Sequence, residues 1–239
     1  MYKRKNRKYD EIRKIIIEKN VMGNSYSSVL ICCGNTKILC SASVEAKTPA
    51  FIDENKMGWL TAEYNMLPGS TLSRKSRSTF KPDSRSIEIQ RLIARSLRAA
   101  IDLTKIKGYS IIMDCDVMQA DGGTRTTSIT GGYIALELAV KKMLKKKIIK
   151  NNPLISKIAS ISAGIVDGKV LLDIDYQEDS RAEVDFNIVL NEKGEFVEIQ
   201  GTGENNSFTQ EQLFQILETA KKGINELFII QEHVLKGKN

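Results

Sequence analysis

The spacing of apolar residues changes several times along the chain, and each change marks an element. Residues 12–18 (IRKIIIE) read as a first strand. Two apolar runs follow, 28–33 and 37–45, joined by Gly34-Asn35. That dipeptide predicts a two-residue hairpin turn, with glycine and asparagine supplying positive φ. Residues 57–66 predict another strand. From about 85 to 103 the period becomes helical, with Ile89, Leu92, Ile93, Leu97 and Ala100 on one face. Residues 109–118 read as a buried strand. A helix over 126–147 comes next, surrounded almost completely by Ile129, Ile134, Leu136, Leu138, Val140 and Leu144, so its first half should be central. Residues 157–201 predict an antiparallel meander, with turns at Asp167-Gly168 and Asn191 to Gly194. The last helix starts near Thr209, where Thr209 and Gln212 have capping-box spacing. Its apolar stripe is Leu213, Ile216, Leu217, Ala220, Ile224 and Leu227. Strands and helices in grouped runs predict an α+β fold with mostly antiparallel sheets packed with helices.

Composition narrows the function classes. The 239 residues suffice for one large domain or two small ones, and the pattern contains neither a linker nor a repeat. No apolar run reaches the length of a membrane span, and the basic N-terminus has no apolar segment behind it, so a cytoplasmic protein with no membrane partner is expected. Cys32, Cys33, Cys40 and Cys115 make no CxxC pair and lie in apolar runs, which predicts buried free thiols. The single histidine, His233, sits in the C-terminal tail. Ser-His and Cys-His mechanisms are therefore disfavoured, and acid–base work falls to carboxylates, lysine or water. The net charge of +7 fits a polyanionic partner, or a lysine-rich surface that serves solubility.

Four stretches carry candidate chemistry. Residues 171–190 (LLDIDYQEDSRAEVDFNIVL) hold six acidic side chains: Asp173, Asp175, Glu178, Asp179, Glu183 and Asp185. Crowded carboxylates repel unless a cation or proton holds them together. The stretch is either a solvated acidic hairpin or one wall of a site, with Asp185 facing away from the core side of its strand. Residues 121–125 (DGGTR) follow a strand and open a helix. Glycines let backbone N–H groups approach an anion, the helix N-terminus adds positive potential, and Arg125 adds a forked donor. Neither a P-loop nor a GxGxxG spacing is present. Residues 68–84 form a loop whose Arg74, Lys75, Arg77 and Lys81 are a polyanion contact or a solvated basic loop. Arg91, Arg95 and Arg98 line one side of the 85–103 helix as a solvated face or a charged subunit contact.

Taken in order, SVLICCGNTKILCSASVE, GWLTAEYNMLP, RSIEIQRLIARSLRAAIDL, MDCDVMQADGGTRTTSITGGYIAL, LLDIDYQEDSRAEVDFNIV and EIQGTGE cover nearly the whole chain. Together they resemble the ribonuclease PH family of phosphate-dependent 3′→5′ exoribonucleases, and more distantly polynucleotide phosphorylase and exosome core subunits. The resemblance implies one compact domain over residues 1–239, with two βαβα-like halves of the type in ribosomal protein S5 domain 2. It implies phosphate binding by Arg85, Gly123, Thr124 and Arg125, catalysis or metal binding by Asp179 and Asp185, and RNA contact by Arg74 and Arg77. It further implies Mg²⁺, inorganic phosphate as co-substrate, tRNA 3′ ends as substrate, and a homo-hexameric ring built as a trimer of dimers. The chain departs from the family at Gly69, where arginine is usual, at Lys81–Ser84 (KPDS), and at Lys5-Asn6-Arg7 in place of DGR. A non-catalytic RNA-binding subunit is the alternative, and it would be expected to lose the phosphate arginines or the aspartates. All are kept here. A metal-dependent hydrolytic nuclease would not need the anion cradle.

Overall fold

The structure is a computed structural model and describes residues 4, 7–77, 83–204 and 206–237. Among these, β1 (Ile15–Lys19), β2 (Ser27–Cys33), β3 (Thr36–Glu45), β4 (Trp59–Met66) and β5 (Ser110–Gln119) form a sheet in the order β1-β2-β3-β5-β4. Every pair is antiparallel except β4 with β5. A parallel pair needs a crossover. Here α1 (Ser84–Arg98) and a 3-10 turn (Leu103–Ile106) supply it. Alternation sets the faces: Val29, Ile31, Ile38, Cys40 and Ala42 are buried while their chain neighbours are largely half-exposed. The β2–β3 turn has the predicted length, with Cys33 opposite Thr36. Only Gly34 takes a positive φ, at 56°, so Asn35 does not share that role.

The next helix, α2 (Thr124–Lys145), starts two residues before its predicted start. It packs on β2, β3 and β5 on one side and on the second sheet on the other. That position explains its apolar surface all round, and Thr126 through Leu136 are buried without exception. The second sheet contains β6 (Ile158–Val166), β7 (Lys169–Leu172), β8 (Val184–Asn191) and β9 (Phe196–Gly203), in the order β7-β6-β8-β9. It is antiparallel, as predicted, but it is not a simple meander. The Asp167-Gly168 turn, with φ of 49° and 71°, pairs β7 with one edge of β6, and β8 returns to the other edge. Residues 173–183 must therefore cross the end of the sheet. They include the short α3 (Tyr176–Asp179). The last helix, α4 (Gln210–Lys236), packs on β6, β7 and β8, and its Thr209–Gln212 capping box forms as predicted.

Two expectations for α1 need correction. It ends at Arg98, not near 103, because Ile101 bridges to Leu154 and the Asp102 N–H donates to Pro153 O at 2.7 Å. Its arginines are also not one undivided face. Arg95 pairs with Glu198 of β9 at 2.8 Å, and Arg98 lies over the Trp59 ring while donating to Leu60 O at 3.0 Å. Arg91 alone of the three is exposed without such a strap. Cys33, Cys40 and Cys115 are buried and free, and Cys32 is half-buried and free. Among the described residues no helix is long and apolar enough to cross a membrane.

Candidate active site

The site forms where the first turn of α2 meets the crossing segment 173–183. Gly122 and Gly123 precede the helix with φ of 72° and 64°, values that favour glycine. Gly122 serves a second purpose: a Cβ there would lie 2.5 Å from Ile174 O and 2.7 Å from the Asp175 carbonyl carbon. Only glycine lets the acidic segment come this close. Gly123 is the N-cap of α2, and no side chain caps it. The helix thus presents backbone N–H groups and a positive dipole end to the pocket. Thr124 Oγ1 lies 2.9 Å from the hydroxyl of buried Tyr64 on β4, which fixes the threonine rotamer. Arg125 donates from Nη2 to Glu88 Oε2 at 3.1 Å, while its buried Nε has no partner among the described residues. Glu88 also accepts from Gln200 of β9 at 3.2 Å, so one α1 carboxylate orients Arg125 and ties the second sheet to it. Arg85, in the first turn of α1, lines the same pocket.

Facing this cradle are Asp179, the last residue of α3, and Asp185, on β8. Burial raises the Asp185 carboxyl to about 6, and the negative charge of Asp179 adds to the effect. Burial also raises Asp179, while Arg85 and Arg125 pull it back. Asn187, two residues along the same strand face, donates to Asp185 Oδ2 at 3.5 Å. Arg85, Gly123, Thr124, Arg125, Asp179 and Asp185 therefore line one small pocket. It adjoins a wider polar groove of about 510 Å³ that also contains Gln200, Thr202 and Glu204.

The remaining acidic residues of the stretch are elsewhere, and they answer the question of what holds the charges together. Asp175 caps α3 and forms a capping box with Glu178. Glu183 accepts from the Gly168 N–H at 3.0 Å. Asp173 and Glu178 are neutralised by three N-terminal arginines. Arg4 grips Glu178 through two hydrogen bonds of 2.6 and 2.7 Å. Arg7 donates to Asp173 O at 2.8 Å and to Glu178 at 3.2 Å. Arg13 bonds Asp173 at 2.6 Å and 3.0 Å through its side chain and at 2.7 Å through its backbone N–H. Burial works against the charge on both acids, yet the arginines hold each below its ordinary value. Arg13 also donates to Asp121 O and lies 3.5 Å from Gly122 O, so the same guanidinium braces the glycine loop against the acidic segment. This brace was not anticipated. Its one signal in the sequence is the run of arginines before Ile15, which periodicity does not address. Lys5 and Asn6 lie outside the described residues.

The basic loop is divided. Arg74 lines a groove with Arg85, Gly122, Gly123, Thr124, Tyr176 and Asp179. Arg77 is exposed and lines neither that groove nor the pocket. Lys75 is tied to Asp83, the N-cap of α1, at 3.2 Å. Phe80 and Lys81 lie outside the described residues. Gly69 is exposed, and among the described residues a Cβ there would meet no atom within 4 Å.

The 3′ exoribonuclease family models match this chain twice: domain 1 over residues 11–142 and domain 2 over residues 157–223. The chain belongs to the 3′ exoribonuclease family. It is 49% identical over 231 residues to ribonuclease PH of Corynebacterium kroppenstedtii, covering 96% of this chain and 91% of that protein. Ribonuclease PH of Crocosphaera subtropica is also 49% identical, over 229 residues, covering 96% and 95%. In fold the chain is similar to rice (Oryza sativa) Rrp46, with a TM-score of 0.80 at 16% identity over 97% of this chain and 98% of that one. It is similar to the Archaeoglobus fulgidus exosome solved with RNA bound to the active site, with a TM-score of 0.78 at 22% identity over 92% and 89%. The gap between the two matches, residues 143–156, takes in the end of α2 and the connection to β6, where one sheet gives way to the other.

Proposed function

We infer that this member of the ribonuclease PH family is a phosphorolytic 3′→5′ exoribonuclease. The observation that carries the reading is an uncapped helix N-terminus with two arginines, facing a carboxylate pair in one pocket. The α2 N–H groups, Thr124, Arg85 and Arg125 hold inorganic phosphate. A phosphate oxygen attacks the last phosphodiester, the bond from phosphorus to the 3′-oxygen breaks, and that oxygen takes up a proton. The products are RNA shorter by one nucleotide and a nucleoside 5′-diphosphate. Asp185, with its carboxyl raised to about 6, is the better proton donor, and Asp179, whose charge Arg85 and Arg125 both favour, the better anion. Such chemistry depends on positioning and charge stabilisation, which a site without histidine or cysteine can provide.

Mg²⁺ fits this donor set as an ion that keeps most of its water. Two carboxylates face the pocket, and among the described residues no group of three or more acidic, histidine or cysteine side chains could enclose a metal. Asp179 would hold it, joined by Asp185 when that carboxyl is ionised rather than serving as the acid, and it would screen the charge that builds on the departing oxygen.

RNA degradation should require phosphate and release nucleoside diphosphates, and excess diphosphate should drive extension. Incubating RNA with and without phosphate and identifying the products tests this. Release of monophosphates by water at a comparable rate refutes phosphorolysis, and RNA binding with no turnover favours the non-catalytic alternative.

The finer expectations are proposals on the same footing. RNA is the polymer, in keeping with the fold neighbour solved with RNA in its active site. Arg74 is the proposed RNA contact, supported by its lining the groove it shares with Arg85 and Asp179, while Arg77 is kept as an RNA contact on resemblance alone. The 3′ ends of tRNA precursors are the proposed natural substrate, to be compared with unstructured RNA in competition. A homo-hexamer is the proposed assembly. Light scattering should give about six times the chain's 26.8 kDa; a fully active monomer would overturn it.

A further inference from the structure

We propose that Ser162 is a ligand of the inorganic phosphate, donating its hydroxyl to the ion from the sheet side of the pocket. The inference rests on the phosphorolytic reading and adds a residue that neither arginine nor glycine patterns reveal. Ser162 lies in the middle of β6 and is 2% exposed. Its Oγ has no hydrogen-bond partner among the described residues. A buried hydroxyl in that condition is costly, so such groups are rarely left unpaired without a purpose. Ser160, two residues earlier on the same face, shows the ordinary solution: its Oγ donates to Ile188 O at 2.9 Å.

The surroundings say what would pair with Ser162. It lines the pocket formed by Arg85, Gly123, Thr124, Arg125, Asp179 and Asp185. A Cβ on Gly123 would sit 3.5 Å from Ser162 Oγ, so the hydroxyl lies directly against the uncapped N-cap of α2. Its cross-strand partner in the register is Asn187, which turns its amide to Asp185 instead. A second buried donor of the same pocket, Arg125 Nε, also has no partner. One tetrahedral oxyanion presents oxygens in several directions. It can accept from the arginines and helix N–H groups on one side and from Ser162 on the other. A loop-only site would hold the ion from one side. With β6 contributing, the second sheet takes part in binding the attacking group.

The test uses the full chain and two single substitutions, Ser162→Ala and Ser160→Ala. Phosphate KM and kcat are measured at saturating RNA, and the thermal shift caused by inorganic phosphate is measured without RNA. A hydrogen bond to a charged ligand implies that Ser162→Ala raises phosphate KM about ten-fold, changes kcat little, and reduces the phosphate-induced shift. Ser160→Ala, which removes a paired hydroxyl from the same strand, should lower the melting temperature and leave phosphate KM alone. Unchanged phosphate KM and thermal shift in Ser162→Ala overturn the inference. So does an equal rise in KM for Ser160→Ala, which would trace the effect to the strand. A wild-type enzyme that degrades RNA equally well without phosphate refutes the phosphorolytic reading instead.

Discussion

Asp185→Asn is expected to lower turnover by about 10²-fold or more while RNA binding persists. The amide keeps the size of the carboxyl but carries neither a charge nor a proton to exchange. Loss of fold is not the expected cause, because the sign of the pKa shift runs the other way. A carboxyl raised on folding is one whose ionised form the folded state disfavours. Above about 6 the charged Asp185 therefore opposes folding, through burial first and Asp179 second. The asparagine variant should be at least as stable as the parent at neutral pH. Steady-state turnover, RNA affinity and melting temperature together check this. Near-normal turnover would remove Asp185 from the mechanism, and a strongly lowered melting temperature would assign it a structural role.

The second large effect belongs to the brace behind the site. Asp173→Asn should destabilise the fold by about 3–5 kcal/mol, because removing one partner of a buried ion pair strands the other. Asp173 is 3% exposed, and the stranded partner, Arg13, is 8% exposed. For a chain of this size that corresponds to a melting temperature lower by on the order of 10 °C. Asparagine isolates the charge from the backbone: Asp173 has a φ of 51°, and aspartate and asparagine both tolerate that region. The pH dependence follows from the direction of the shifts. Asp173 and Glu178 are both lowered on folding, so their contribution is complete above the ordinary carboxylate range. It is lost as pH falls through and below roughly 4. Denaturant unfolding of both proteins at neutral and acid pH should show the gap closing on the acid side. Because Arg13 also holds the Asp121 and Gly122 carbonyls, phosphate KM should rise in the variant as well. A variant as stable as the parent at neutral pH would show the network to be dispensable.

Much of the architecture was legible in the chain because its signals are local. A strand's buried face follows from alternation, as along Ala182, Val184, Phe186, Ile188 and Leu190, all buried. A cap follows from two residues three apart, as at Thr209 and Gln212. A central helix follows from apolar residues on every side, as in α2. The helix N-terminus behind DGGTR could be read in the same way, since glycine, threonine and arginine lie within five positions.

Distant pairings were not legible. The chain shows six carboxylates in one stretch, but only the fold separates them into a pocket pair, a cap, a turn contact and two ion-paired acids. Arg4 and Glu178 meet across 174 positions, and Arg13 and Asp173 across 160. No period or spacing encodes such a meeting. The same holds for Gly122, whose missing Cβ makes room for a backbone some fifty residues away, and for Ser162, whose hydroxyl gains meaning only beside Gly123. By itself the sequence determined the elements, their buried faces and the glycine-led start of α2, since each depends on neighbours along the chain. Tertiary structure alone decided which carboxyls are pushed up in pKa, which are neutralised and what braces the loop, because burial and Coulomb interactions depend on distance in space.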